Sequence, residues 1–276
     1  MRTVDELRQA LRTIRTRGSR VALVPTMGAL HEGHMSLIRA ARQHADTVCV
    51  TIFVNPKQFG PNEDFAAYPR QMRDDCSMLE DAGVELLFAP AVEEMYPAGF
   101  VTTVHVADLT APLCGADRPN HFDGVATVVT KLLLQALPDV AMFGEKDYQQ
   151  LLVVKRLVRD LDIPVRIQGC PTWREPDGFA LSSRNKYLSA EQRAIAPALH
   201  RALQDVAAHV RAGGEAAPSC ASGARMLRQQ GFASVDYLEM RDAETLALLP
   251  RLGDRPARVF GAARIGRVRL IDNIAV

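Results

Sequence analysis

The chain contains no excess of one charge and few cysteines. In its 276 residues, 33 Lys and Arg balance 32 Asp and Glu, so the net charge is +1. Nucleic-acid-binding proteins usually carry a basic excess, so we expect small-molecule partners and no nucleic acid. The cysteines are odd in number and scattered without a Cys-x-x-Cys pair, at Cys49, Cys76, Cys114, Cys170 and Cys220. This pattern argues against a disulfide framework or a zinc ribbon and is typical of the reducing cytoplasm.

Long apolar runs are also missing. No stretch approaches the length needed to cross a bilayer, so we expect a soluble chain without a membrane partner. The N-terminus carries Val4, Leu7, Leu11 and Ile14 at helical spacing, with acidic residues before arginines. This pattern predicts an amphipathic helix and not a signal peptide.

Short β-branched runs alternate with amphipathic stretches along the first two thirds of the chain. Because these runs are almost entirely apolar, they predict an α/β fold: a Rossmann-like parallel sheet with helices on both faces. Strands are predicted at 20–24, 47–54, 84–89, 101–106, 140–143 and 165–168, and helices at 35–44, 72–82, 125–136 and 148–161.

The composition changes between Cys170 and Tyr187, where Pro, Gly and polar residues accumulate. Beyond this connection, Ser189-Ala-Glu-Gln192 resembles a capping box, and Pro197 is expected to bend or restart the helix. A second helix is predicted at 222–230, and strands at 234–240, 258–263 and 268–274. We therefore predict a Rossmann-like domain over 1–175 and a smaller α+β domain over 176–276.

The segment 21–34 (VALVPTMGALHEGH) is an apolar strand, a Pro/Gly turn and two histidines that open a helix near His34. Gly28 and Gly33 allow close backbone approach to a polyphosphate, and a helix N-terminus attracts anions. His31 and His34, three residues apart, could donate hydrogen bonds to phosphate from one face. A zinc site is disfavoured because the four-residue histidine spacing of metalloproteases is missing. Ordinary capping histidines remain an alternative.

Further polar groups follow other predicted strands. Asn55 and Gln58 stand where a small substrate could be hydrogen-bonded, or they are ordinary loop amides. The Gly- and Pro-containing stretch 59–70 suits a mobile loop that covers a site, or it is a surface loop without a role in the site. Lys146 follows Gly144 at a helix start, where a cation opposes the helix dipole, and this favours phosphate binding over a merely capped turn. The hydroxyls and guanidinium at 182–184 (SSR) could wrap a polyphosphate.

Together these segments resemble the pantoate:β-alanine ligase family of the nucleotidyltransferase superfamily, nearly from end to end. The motifs are 25–34 (PTMGALHEGH), 53–59 (FVNPKQF), 68–70 (YPR), 121–125 (HFDGV) with 127–129 (TVV), 144–150 (GEKDYQQ), and 174–178 (REPDG) with 182–185 (SSRN). The resemblance implies a ligase that forms an amide bond. Pantoate would attack the α-phosphate of ATP, and β-alanine would then displace AMP from the pantoyl adenylate. It also implies Mg²⁺ and a homodimer. Because the adenylate must be kept from water, we expect the small C-terminal domain to act as a lid.

The resemblance implies site residues as well. His34 takes the proton-donor position, and the catalytic set is His31, His34, Lys146, Ser182, Ser183 and Arg184. The residues expected to bind ATP are Pro25, Thr26, Met27, Gly28, Ala29, Leu30, His31, Glu32, Gly33, His34, Gly144, Glu145, Lys146, Asp147, Trp173, Leu181, Ser182, Ser183 and Arg184. Pantoate and β-alanine are assigned to Gln58, Gln150, Asn55, Arg118 and His121, and Mg²⁺ to Asp75 or Asp74.

One residue departs from the family pattern. Trp173, the single tryptophan, stands where the family commonly has a small aliphatic residue next to adenine. Two other functions remain open: an adenylate-forming or adenylyl-transferring enzyme that acts on a different small acid, and a module that binds nucleotide without turnover.

Overall fold

A computed structural model describes residues 1–61 and 63–276. It divides the chain into two compact units. The first unit comprises Met1–Glu145 and Gln149–Pro171, and the second comprises Lys146–Tyr148 and Thr172–Val276. The functional domains predicted at 1–175 and 176–276 stay a proposal.

The first unit is built around a parallel sheet. Its strands are β1 Val21–Thr26, β2 Thr47–Ile52, β3 Leu86–Phe88, β4 Val140–Gly144 and β5 Arg166–Cys170. Its helices are α1 Val4–Arg15, α2 Glu32–Arg42, α3 Met72–Asp81, α4 Val92–Met95, α5 Cys114–Asp117 and α6 His121–Ala136, followed by α7 Tyr148–Asp160, whose first residue belongs to the second unit.

All pairings in this sheet are parallel, and the strand order is β3-β2-β1-β4-β5. The order reverses between β1 and β4, and ligands of open α/β sheets bind at the carboxyl ends of strands beside such a reversal. Helix α2 packs on one face against Val24, Val50 and Met142. Helix α6 contacts both α1 and β1, and α1 and α6 each carry buried apolar residues. The predicted Rossmann-like class is confirmed.

One predicted strand is wrong. Residues 101–106 form neither a helix nor a strand, and Val101 is 91% exposed. The N–H of Val104 donates to Thr127 Oγ1 at 2.9 Å instead of to a neighbouring strand. The run is β-branched, but its backbone hydrogen bonding is satisfied by a side chain of α6. Helix α2 also begins earlier than predicted, at Glu32 instead of near His34.

The second unit is the predicted smaller α+β fold. It contains α8 Ala190–Ile195, α9 Ala198–Arg211, α10 Ala216–Gln229 and an antiparallel sheet of β6 Ser234–Asp242, β7 Ala257–Ile265 and β8 Val268–Ala275. Ser189 and Gln192 form the predicted capping box, and Pro197 separates α8 from α9. Leu199, Leu203 and Val206 pack with strand residues such as Val259 to form the core.

Candidate active site

His31 and His34 cap the N-terminus of α2. The Nδ1 atom of His31 accepts the N–H of Gly33 at 3.1 Å, and Nδ1 of His34 accepts the N–H of His31 at 3.3 Å. The ring centroids lie 4.1 Å apart. A neutral imidazole that accepts at Nδ1 carries its proton on Nε2, so each ring has an Nε2–H donor. The histidines are therefore caps, and the capping itself orients two donors that suit a phosphate.

The turn before this helix, residues 27–30, is held by Asp75 of α3. Gly28 and Ala29 have positive φ angles of 78° and 51°. Asp75 Oδ2 accepts the N–H of Ala29 at 3.0 Å, and Oδ1 accepts that of Leu30 at 2.8 Å. A Cβ atom at Gly28 would lie 2.9 Å from Asp75 Oδ2, so this position requires glycine. Asp75 is 1% exposed and fixes the backbone that leads to His31.

Asp74 and Asp75 are the predicted Mg²⁺ ligands. Both oxygens of Asp75 already accept main-chain hydrogen bonds, which fits a metal ligand poorly, whereas Asp74 is exposed. Among the described residues, no group of three or more His, Cys, Asp or Glu could hold a metal ion. Because Mg²⁺ in nucleotide enzymes is held largely by substrate phosphates and water, a single exposed carboxylate such as Asp74 fits an ion that is carried by ATP. The role of both aspartates stays a prediction.

Asn55 and Gln58 form a connected pair after β2. Asn55, 1% exposed, donates from Nδ2 to Gln58 Oε1 at 3.0 Å and to the carbonyl of Gly124 at 3.1 Å. The Tyr96 hydroxyl donates to Asn55 Oδ1 at 2.7 Å. These bonds turn the Gln58 amide so that Nε2 points to Met27 Sδ, at 3.3 Å. Gln58 therefore touches the turn of residues 27–30.

Arg118 and His121 hold the main chain of the same loop. The Arg118 guanidinium makes two 2.6 Å hydrogen bonds to the Glu63 carboxylate and one of 3.0 Å to His121 Nε2. His121 Nδ1 donates to the Gln58 carbonyl at 2.8 Å. Burial raises the pKa of Glu63, but the hydrogen bonds and charge of Arg118 outweigh this effect and leave the pKa lowered. The assignment of Arg118 and His121 to substrate stays a prediction.

Two adjacent glutamines of α7 have different surroundings. Gln149 is buried, accepts the N–H of Cys114 at 3.1 Å and donates to the carbonyls of Leu109 and Pro112. Gln150 is partly exposed. Gln149 therefore holds the neighbouring loop, and Gln150 keeps its predicted assignment to pantoate.

The second unit carries the other predicted phosphate-binding residues. Lys146 Nζ lies 3.7 Å from Asp147 Oδ1. Ser182 Oγ accepts the N–H of Arg184 at 3.3 Å and caps the 3₁₀ helix Ser183–Tyr187. Trp173 is 42% exposed, and its carbonyl accepts the N–H of Leu181 at 3.0 Å.

The remaining residues assigned to ATP lie at the ends of elements in the first unit. Pro25 and Thr26 end β1, Glu32 and Gly33 begin α2, and Gly144 ends β4 just before Glu145.

Comparison with known proteins identifies the family. A family model described as pantoate-β-alanine ligase matches residues 1–275. The chain belongs to the pantoate-β-alanine ligase family. It is 60% identical over 276 residues to a pantothenate synthetase of Paramagnetospirillum magneticum, a match that covers 100% of this chain and 97% of that protein.

Solved structures of the pantoate-β-alanine ligase family share this fold. Pantothenate synthetase from Thermus thermophilus is 51% identical with a TM-score of 0.93, covering 99% of this chain and 98% of that one. The Francisella tularensis pantoate-β-alanine ligase, solved with βγ-ATP and β-alanine, is 35% identical with a TM-score of 0.85, covering 100% and 96%. The family and the ligase activity predicted from the motifs are confirmed.

Some residues of this site were not predicted from the sequence. Tyr96 and Glu63 orient Asn55 and Arg118, but neither stands in a motif that indicates such a role. Tyr96 is followed by a proline and a glycine, in 96–99 (YPAG), a composition typical of a turn that carries no signal for this role. Within the described residues, no helix is both long and apolar enough to cross a membrane.

Proposed function

We propose that this ligase condenses (R)-pantoate with β-alanine and converts ATP to AMP and pyrophosphate. The full-length match to the pantoate-β-alanine ligase family supports the reaction. The observation that carries the proposal is the 3.3 Å contact between Gln58 Nε2 and Met27 Sδ. Adenylation requires a carboxylate beside the α-phosphate, and this contact joins the amide assigned to pantoate with the turn assigned to ATP.

In the first step, a pantoate carboxylate oxygen attacks the α-phosphorus of ATP. The bond to the bridging oxygen breaks, and pyrophosphate leaves with the electron pair. Donors placed where charge develops lower the barrier without a protein nucleophile. We assign this work to the Nε2–H groups of His31 and His34, with His34 as donor to the leaving group, together with Lys146, Ser182, Ser183 and Arg184.

In the second step, the amine of β-alanine attacks the carbonyl carbon of pantoyl adenylate. The bond from that carbon to the phosphate oxygen breaks, AMP leaves, and the amine loses a proton to water. The ATP and β-alanine bound to the Francisella tularensis ligase support both substrates here. Gln58 and Gln150 are proposed to hold pantoate, and Gln58 also β-alanine, with Asn55, Arg118 and His121 lining the site.

The proposal includes Mg²⁺, which would add positive charge at the ATP phosphates. Asp74, the exposed neighbour of the buried Asp75, is the carboxylate that we propose could contact this ion. It also includes a homodimer, which the family implies, and a cytoplasmic location, which the scattered cysteines favour. That the C-terminal domain acts as a lid stays a prediction.

Pantoate-dependent exchange of pyrophosphate into ATP tests the substrate assignment. We expect exchange with pantoate and none above background with a panel of other small hydroxy acids, because Gln58 and Gln150 are proposed to read pantoate. Exchange driven equally by another acid would indicate a different adenylate-forming enzyme. If no acid gives exchange, and no AMP forms with ATP, pantoate, β-alanine and Mg²⁺ together, the chain binds nucleotide without turnover.

A further inference from the structure

The segment Lys146–Tyr148 is held by the last strand of the second unit, to which it belongs. Asn273 of β8 donates from Nδ2 to the carbonyl oxygen of Lys146 at 3.0 Å. Asn273 is only 3% exposed, so water does not readily replace this bond. The two residues lie 127 positions apart in the chain.

The orientation of the Asn273 amide is fixed by a second residue of the sheet. Its Oδ1 atom accepts the Nε–H of Arg258 at 2.8 Å, so Nδ2 must face the Lys146 carbonyl. The Arg258 guanidinium also lies 4.0 Å from the ring centre of Tyr148. Arg258 therefore contacts the segment Lys146–Tyr148 through the Tyr148 ring. It also fixes Asn273, which holds the backbone of that segment.

Where the main chain of Lys146 lies determines where its ammonium can reach. Lysine is a point charge on a flexible stem, so its placement depends on a fixed backbone and on neighbouring charges. Lys146 Nζ lies 3.7 Å from a neighbouring charge, the Oδ1 atom of Asp147. Displacing a group that positions charge by about 1 Å can cost about 100-fold in rate.

We propose that Asn273 is a positioning residue for the first half-reaction: it holds the Lys146 backbone so that Nζ meets the ATP phosphates. This inference rests on the proposed function, which assigns Lys146 to phosphate. Asn273 does not itself touch substrate in this account. The expected effect is therefore confined to adenylate formation and depends on the presence of Lys146.

The test compares N273D with wild type in each half-reaction. Aspartate keeps the size of the side chain and the contact with Arg258, but it replaces the donor facing the Lys146 carbonyl with an acceptor. We expect pyrophosphate exchange to fall about tenfold or more, mainly in kcat, because the part-buried carbonyl of Lys146 loses its donor and faces an acceptor instead. Turnover of synthetic pantoyl adenylate with β-alanine should stay within about twofold of wild type.

Three further variants keep the test decisive. R269Q removes the 2.7 Å pair that Arg269 of the same strand makes with Asp236, without contacting Lys146, and should leave both half-reactions unchanged. If N273D folds poorly, R258K replaces it in the test. R258K loses the Nε donor to Asn273 but keeps a charge, so we expect a smaller loss of exchange than the one predicted for N273D. In a K146A background, N273D should cause no further loss, since coupled residues are not additive.

Several results would overturn the inference. Equal loss of both half-reactions in N273D, together with a lowered Tm, would show a purely structural role. An additive loss in K146A would mean that Asn273 acts on something else. If K146A impairs exchange while N273D and R258K do not, the inference alone fails. If K146A leaves exchange unchanged, the assignment of Lys146 to phosphate fails and the inference falls with it.

Discussion

Asp75 and His31 act on neighbouring backbone N–H groups just before and within the first turn of α2. Asp75 accepts those of Ala29 and Leu30, and His31 accepts that of Gly33. Gly28 and Ala29 both have left-handed φ angles. An alanine does not adopt such an angle readily, so the conformation of this turn needs an external restraint. At the scale of residues, the histidines proposed to act in catalysis follow a turn that is held by a carboxylate, and this carboxylate need not touch the substrate.

The substitution D75N tests this role. An asparagine keeps one acceptor but turns an NH₂ group toward a main-chain N–H, which costs about 1–3 kcal/mol when buried. We therefore expect kcat/KM for ATP in pyrophosphate exchange to fall about tenfold or more. D81N makes the same charge change on the exposed end of α3 and should match wild type.

Two outcomes would contradict this assignment. If D75N behaves like D81N, Asp75 does not position the turn. If excess Mg²⁺ restores D75N to wild-type exchange, the carboxylate is a metal ligand, as the sequence predicted. A raised Mg²⁺ requirement in D74N alone would place the metal role on the exposed neighbour.

At the scale of elements, local patterns predicted most helices and strands because each depends on residues close together in sequence. Strand 101–106 was wrong because Thr127 satisfies the backbone where a neighbouring strand was expected. The supporting contacts of the site could not be predicted either, because they join residues that are far apart in the sequence. Asp75 lies 45 residues from Leu30, and Asn273 lies 127 from Lys146. No local periodicity indicates such pairs.

Strand β8 also secures the loop that carries Arg174. Asp272 is 5% exposed and accepts hydrogen bonds from Arg174 at 2.7 and 2.8 Å, with His200 Nδ1 at 3.4 Å. Burial raises the pKa of Asp272, but its contacts with His200 and Arg174 outweigh burial and hold the pKa below its ordinary value of 3.8. The loop and the strand are therefore joined by a buried ion pair.

The substitution D272N should destabilise the second unit by about 3 kcal/mol at pH 7, because it leaves Arg174 without its buried partner. A carboxylate whose pKa is lowered by folding stabilises the fold above its ordinary pKa, and this stabilisation is lost as the pH falls through the folded value. The difference between wild type and D272N should therefore shrink below pH 3.8.

Urea unfolding followed by tryptophan fluorescence measures this difference, since Trp173, the single tryptophan, lies in the second unit. D254N, a charge-matched change at an exposed aspartate, should stay within about 0.5 kcal/mol of wild type. A difference that grows on acidification, or a D272N variant as stable as D254N, would argue against the buried pair.

At the scale of the whole molecule, the residues assigned to ATP are divided between the two units. His31 and His34 belong to the first unit, and Lys146 and Arg184 to the second. The family match extends over residues 1–275, through both units. The sequence motifs sufficed to name the reaction because each is short and continuous, whereas the contacts that orient these motifs depend on the folded units.

The central claim is that pantoate is activated as its adenylate, and the fate of its carboxylate oxygens tests it most directly. With pantoate labelled by ¹⁸O in both carboxylate oxygens, one labelled oxygen should pass to the phosphate of each AMP, and the other should remain in the amide of the product. Mass spectrometry of both products measures this transfer. Unlabelled AMP formed together with the amide would contradict an acyl-adenylate route.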